Sequence, residues 1–268
     1  MTTDTKLNGR TALVSGGSKG LGFAVAEALA RHGADVAILA RDEAGLKNAE
    51  SQLASVGEGS VLTVSADVTD DNAVAEALRQ VTDWRGRLDI VVNAAHRGLQ
   101  SAPLSDTDPA VIDDVLEGKL VGYARMIKAA LPLIETGGTG RIINIAGVTA
   151  TSLVPGTGTA AIANAGVIAL TSYFAAEAAP KGILVNGISP GMTLTQGWLD
   201  RHEGMAKAQG KTADEVRAGM VAGLGIGLGR WAKPEEVASA AVFLASDMAS
   251  YVSGQVLRVD GGLGKNVF

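Results

Sequence analysis

The chain has 268 residues, a formal net charge of −5 and no cysteine, which excludes a disulfide framework and a thiol nucleophile. The acidic balance leaves no basic excess for nucleic acid or an anionic membrane surface. No apolar run is expected to span a bilayer, and the opening MTTDTKLNGR lacks an apolar leader core, so the expectation is a cytoplasmic protein without nucleic-acid or membrane partners.

Residues 11–15 (TALVS) read as a β-strand, followed by the glycine-rich turn SGGSKGLG and a helical spacing of apolar residues over 22–32 that Gly33 stops. Residues 34–40 (ADVAILA) predict a second strand and 42–56 a polar-faced helix. A third strand is expected over 61–66, a helix over 70–82, and a fourth strand over 88–93 (LDIVVN). A long helical pattern over 111–134 precedes a strand at 140–146 (GRIINIA), a helix at 159–179 and a strand at 183–189 (ILVNGIS). Pro234 can open a helix over 234–244, and 255–259 predicts the last strand. Residues 192–229 break this rhythm: rich in Gly, Met and Ala and weakly patterned, they read either as a substrate lid or as a pair of surface helices.

The strands are continuous apolar runs joined by helical crossovers, with no linker or repeat between them. Strands buried on both faces require helices on both faces. The predicted architecture is therefore α/β: a single Rossmann-like doubly wound domain over 1–268, with a parallel sheet of about seven strands. No metal site is expected.

The turn from Ser15 to Gly22 follows a strand and opens a helix, where free backbone N–H groups and the helix dipole suit a pyrophosphate. Its spacing, Gly16-xxx-Gly20-x-Gly22, resembles the TGxxxGxG of the short-chain dehydrogenase/reductase family, with Ser15 for Thr. Asp67-Val68, Asn93-Ala94-Ala95-His96, Ser189-Pro190-Gly191-Met192-Thr193-Leu194-Thr195, Pro234-Glu235-Glu236-Val237 and Val259-Asp260-Gly261-Gly262 match further landmarks of that family in order. The resemblance implies an NAD(P)-binding oxidoreductase acting on a small molecule, assembled as a homodimer or homotetramer. It places the cofactor against Ser15, Gly16, Ser18, Lys19, Gly20, Leu21, Gly22, Asp67, Val68, Asn93, Ala94, Pro190, Gly191, Thr193 and Thr195. Where NAD-preferring members carry an Asp after the second strand, this chain has Ala40-Arg41, with Lys19 in the glycine turn. Two cations without a carboxylate favour NADP(H) over NAD(H); the other reading is two solvated surface charges.

The resemblance also implies an Asn-Ser-Tyr-Lys catalytic set, and none of the four is present. Lys119 stands in the NLxG-like segment GKLVG, Gly147 where the second Ser is expected, Ala160 at the Tyr position and Asn164 at the Lys position. The three tyrosines, Tyr123, Tyr173 and Tyr251, all lie elsewhere. The Asn and Lys look exchanged between two helices, and the chain is similar to a divergent subgroup with KxxG, Gly and Asn at these places. Lys119 and His96 are the candidate acid/base groups, Lys119 if burial lowers its pKa and His96 because it titrates near neutrality. Tyr123, one helical turn beyond Lys119, is a further candidate or a packing residue in a helix that the resemblance puts at a dimer interface, and Arg97 is either an anion contact or a solvated loop residue. Thr149, Thr151 and Ser152 offer hydroxyls, and Asn144 is expected to be structural. Three functions fit: hydride transfer with a displaced acid/base set, on substrates such as imines or activated alkenes; a non-redox elimination, hydration or isomerisation; or an inactive nucleotide-binding protein.

Overall fold

The computed structural model describes residues 5–96 and 101–263. Strands and helices alternate as β1 (Thr11–Ser15), α1 (Gly20–Arg31), β2 (Asp35–Ala40), α2 (Glu43–Leu53), β3 (Val61–Ser65), α3 (Asp71–Arg85) and β4 (Ile90–Asn93). The helices α4 (Pro109–Leu116) and α5 (Gly122–Ala130) run into one another through a π turn at Glu117–Val121. There follow β5 (Arg141–Ile145), α6 (Gly158–Ala178), β6 (Leu184–Pro190), α7 (Gln196–Gln209), α8 (Ala213–Leu224), α9 (Pro234–Ala245) and β7 (Val256–Val259).

The seven strands form one parallel sheet in the order β3-β2-β1-β4-β5-β6-β7. Successive side chains of a strand enter opposite layers. Ala12 and Val14 pack with α1, α2 and α9 on one face, while Leu13 packs with α3, α5 and α6 on the other. The chain order reverses between β1 and β4, so the crevice for a ligand opens at the carboxyl ends of those two strands.

Local chemistry sets the helix starts. Asp42 accepts from the Ala44 N–H and Asp70 from the N–H groups of Asn72 and Ala73, so each stands as the N-cap just outside its helix. Residues 196–224 form two regular helices, α7 and α8, turned back on each other at Gly210, whose φ of +62° suits glycine.

One sequence expectation is corrected. The run Gly158–Lys181 is long and apolar enough to cross a membrane. In this fold its length serves the core, where Val167, Thr171, Ala175 and Ala178 are buried.

Candidate cofactor and active site

The glycine turn is shaped for close approach. Gly16 has φ +70°, and a Cβ there would meet the Ala95 backbone at 2.8 Å. Gly20 has φ +61°, and a Cβ on Gly22 would lie 2.2 Å from the Gly16 carbonyl oxygen. Lys19 caps α1 with extended backbone and no side-chain hydrogen bond, so the first amides of the helix stay open to an anion. The buried Ser15 hydroxyl accepts from the N–H groups of Ala94 at 3.2 Å and Ala95 at 3.4 Å, which ties the turn to the end of β4. Ser18, Gly20 and Leu21 are half-buried along the rim of this turn. Thr195, which opens α7, brings its methyl to 3.8 Å from a Cβ position on Gly20, so the Pro190-to-Thr195 segment faces the turn across the crevice. In that segment Pro190 and Thr193 are buried, and a side chain on Gly191 would meet the Asp260 backbone at 2.6 Å.

At the far corner Arg41 and Lys19 are both exposed. The Arg41 guanidinium lies 3.5 Å from the Asp67 carboxylate, whose other oxygen accepts from the N–H and hydroxyl of Thr69. Asp42 turns its carboxylate to the Ala44 amide and is committed to capping α2. Val68 is buried against Gly122, where a Cβ would meet Val68 Cγ2 at 3.0 Å.

Ser15, Asn93 and Asn144 stand side by side in register at the carboxyl ends of β1, β4 and β5. Asn93 Nδ2 donates to Asn144 Oδ1 at 2.8 Å, Asn144 Nδ2 to Thr171 Oγ1 at 3.0 Å, and that hydroxyl to the Val167 carbonyl at 2.7 Å. Asn144 is thus the structural residue that the sequence indicated. It pins α6 to the sheet.

Beyond this ladder, Lys119, Gly147 and Asn164 gather just past the end of β5, and Ala160 lies one helical turn before Asn164 on α6. Lys119 lies in the π turn and donates from Nζ to the Ala146 carbonyl at 3.0 Å. Lys119 is half-buried, and desolvation of its ammonium lowers the pKa to about 8. Gly147 follows Ala146 directly. A Cβ on it would meet Asn164 Nδ2 at 2.5 Å, so the Asn164 amide fills the space that a side chain at 147 would need. Asn164, 5% exposed, donates from Nδ2 to Thr149 Oγ1 at 2.8 Å, and its Oδ1 is buried without a partner. Ala160 is buried in the first turn of α6 and brings no polar atom.

Tyr123 shares the face of Lys119, whose Nζ is 6.0 Å from its ring centroid. The Tyr123 hydroxyl donates to the Ile145 carbonyl at 3.2 Å, and burial raises its pKa. Its side chain is 1% exposed. Tyr123 is therefore the packing residue that the sequence reading preferred, buried inside the subunit. His96 is exposed three residues beyond β4, and Arg97 lies outside the described residues. The sequence reading missed the pairing of Asn164 with Thr149. It also missed a ring cluster beneath α7 and α8, formed by Trp198, His202 and Trp231.

The residues present fit a dinucleotide: the glycine cradle excludes side chains, and the unpartnered oxygens Asn93 Oδ1 and Asn164 Oδ1 lie along the crevice. The family model described as enoyl-(acyl carrier protein) reductase matches residues 16–264. The 3-oxoacyl-(acyl-carrier-protein) reductase FabG of Vibrio cholerae is 36% identical over 257 residues, covering 96% of this chain and 98% of that protein. The cis-4-hydroxycyclohexanecarboxylate dehydrogenase of Sinomonas cyclohexanicum is 38% identical over 253 residues, covering 94% and 96%. L-sorbose reductase from Gluconobacter frateurii, solved with NADPH and L-sorbose, superposes with a TM-score of 0.94 at 27% identity, covering 99% of this chain and 100% of that one. A protein described as a short-chain dehydrogenase/reductase family member superposes with a TM-score of 0.81 at 36% identity, covering 96% and 98%. With the glycine cradle, the strand order and matches over nearly the whole chain in agreement, this chain belongs to the short-chain dehydrogenase/reductase family of oxidoreductases.

Proposed function

We propose that this chain is an NADP(H)-dependent oxidoreductase of a divergent subgroup that works without the Asn-Ser-Tyr-Lys set, with Lys119 as its acid/base group. The observation that carries the reading is the Lys119 ammonium, half-buried beside Gly147 and bonded to one backbone carbonyl, with its pKa lowered to about 8. An ammonium has three donors, so two remain for a reacting oxygen or nitrogen. A pKa near the working pH suits proton transfer in either direction.

NADP(H), when bound, supplies or accepts the hydride. The glycine turn would hold its pyrophosphate, Arg41 and Lys19 its 2′-phosphate, and Asp67 and Val68 its adenine. Asn93, Ala94 and the Pro190-to-Thr195 segment would line the nicotinamide half. Asn164 Oδ1, buried and without a partner among the described residues, would accept a hydrogen bond from a ribose hydroxyl. Thr149, whose oxygen is occupied by Asn164, keeps its own proton free to donate. Because no tyrosine occupies the site, substrates that are easily protonated or already activated, such as imines or polarised alkenes, suit it better than simple ketones. His96, exposed at the edge of the crevice, is the secondary acid/base candidate.

The helices α7 and α8 are read as the substrate lid over 192–229, within a single domain over 1–268. We also place the protein in the cytoplasm as a homodimer or homotetramer. Support for assembly is the α5–α6 face, where Val121 and Tyr173 are exposed beside a groove of about 420 Å³ lined by Ala124, Arg125 and Phe174.

The deciding experiment follows NADPH oxidation at 340 nm with cyclic imines and enones, in wild type and Lys119→Met. Turnover that falls at least a hundredfold in the variant while NADPH binding is kept supports the proposal. Turnover without added nucleotide would instead mark a non-redox enzyme, and tight NADPH binding with no turnover an inactive nucleotide-binding protein.

A further inference from the structure

The underside of the α7–α8 hairpin holds polar atoms that hydride transfer does not use. His202 on α7 is 0% exposed, and neither of its ring nitrogens has a hydrogen-bond partner. The indole N–H of Trp231, 4% exposed, is also buried without an acceptor. These two rings meet edge to face at 4.5 Å between centroids, and Trp198 closes the third side at 5.7 Å from His202 and 5.2 Å from Trp231. A phenylalanine at 202 would fill the same place without burying two unmade hydrogen bonds. Polar atoms kept at that cost point to a ligand.

The donor set and the charge around it define which ligand. Trp231 offers only a donor, and His202 offers two when protonated. Burial and the Arg217 charge from α8 both hold the His202 pKa below its ordinary value. Burial, the larger cause, opposes charge of either sign, whereas the Arg217 charge opposes only a cation, so an anion is less disfavoured there than an imidazolium. Asp214, the partner of Arg217, has a side chain 87% exposed and carries its charge into solvent. On the same helix as His202, the Arg201 guanidinium stacks on Trp198 at 5.3 Å. The rest of the cluster is apolar, with Val148 and Met192 among its buried members. Val148 directly follows Gly147, so this cluster is continuous with the reaction segment.

We propose that His202 and Trp231 anchor a carboxylate on the apolar end of the substrate. The inference rests on the proposed oxidoreductase reading and narrows its substrates to small acids whose carboxylate is separated from the reacting carbon by a ring or short apolar chain.

Of the three tryptophans of the chain, Trp231 is part of the proposed anchor and Trp198 flanks it, so intrinsic emission excited at 295 nm reports on it directly. The full-length protein, saturated with NADP, is titrated with phenylacetate and with its uncharged isostere phenylacetamide; neither probe has a carbonyl that the enzyme must reduce. The expected result is a saturable emission change with phenylacetate at a Kd at least tenfold below that of phenylacetamide. His202→Phe is expected to weaken phenylacetate binding at least tenfold, and Trp231→Phe severalfold, with NADPH affinity unchanged in both. The wild-type comparison stands even if a variant fails to fold. Equal affinity for the two probes, no saturable response to phenylacetate, or unchanged binding in a folded His202→Phe protein would each overturn the proposal. Phenylacetate binding without any turnover on imines or enones would leave the anchor standing and reject the oxidoreductase reading instead.

Discussion

The amide nitrogen of Asn164 stands 2.5 Å from the position a Cβ on Gly147 would occupy. The two residues are therefore one structural choice: glycine makes room, and the amide fills the room and bonds Thr149 at 2.8 Å. Gly147→Ser alone must swing the amide off Thr149, at an expected cost of about 1–3 kcal/mol from overpacking and the lost bond. Combined with Asn164→Ala, the serine has space. A double-mutant cycle by urea denaturation should show a coupling of about 1 kcal/mol or more. Strict additivity would show that the two side-chain volumes do not compete.

Lys119 is expected to be required for activity while destabilising the fold. Its pKa falls from 10.5 to about 8 on burial. The folded state thus binds fewer protons than the unfolded state between those values, so stability rises as pH increases from 8 to 10.5. Below pH 8 the full cost of burying the charge applies, and Lys119→Met should raise stability at pH 7 by about 2–3 kcal/mol. The wild-type reductive rate should fall as pH rises through about 8, because the acid form is lost. Denaturation curves of the variant at pH 7 and pH 10, set beside the pH–rate profile, check both halves. A variant less stable than wild type at pH 7 would contradict the burial argument.

In the proposed reading, Arg41 governs the choice of cofactor. Its guanidinium is exposed and, among the described residues, is ion-paired only with Asp67, at 3.5 Å, so it can turn to a phosphate without breaking a buried contact. A charge-assisted hydrogen bond contributes roughly 1.5–3 kcal/mol. Arg41→Ala should therefore weaken NADPH about tenfold to a hundredfold and leave NADH affinity within about twofold. Calorimetric titration of both nucleotides measures the ratio. Parallel losses for both would assign Arg41 to general electrostatics.

The parts of this molecule that were legible in sequence are those where one residue type answers one backbone demand. Gly16, Gly20 and Gly22 announce a turn that excludes side chains, and the period of the apolar strands announces a sheet covered on both faces. The π turn at Glu117–Val121 was not legible. One wider turn inside a helical run leaves the apolar spacing of residues 111–134 almost unchanged, and only the buried Gly118 and the close approach of Gly122 to Val68 record it. The hairpin of α7 and α8 was half legible. Thr212 and Glu215 form a reciprocal capping box that the T-x-x-E spacing announces, whereas glycines at 197, 204, 219 and 223 dilute the apolar stripe. His202 could not be placed, because it lies between Arg201 and Glu203 and its burial depends on Trp231, distant in sequence.

Lys119, Gly147, Ala160 and Asn164 invite a reciprocal test of the proposed mechanism, since the frame around them is intact. Asn93, Asn144 and Thr171 hold the end of β5 against α6 whatever stands at 147 and 164. The quadruple variant Lys119→Asn, Gly147→Ser, Ala160→Tyr, Asn164→Lys places a phenol, a hydroxyl and an ammonium at the positions where the family keeps them. It also removes the clash, because the amide that blocks residue 147 is gone. On the proposed mechanism this variant should acquire NADPH-dependent reduction of unactivated ketones at a rate well above wild type, and lose turnover of imines or enones. Ala160→Tyr alone should do neither. Its phenol would have no neighbouring ammonium to lower its pKa, because Lys119 remains tied to the Ala146 carbonyl. A wild-type protein that already reduces simple ketones as fast as the quadruple variant would mean that the missing tyrosine is supplied from elsewhere, and the assignment of Lys119 would fall with it.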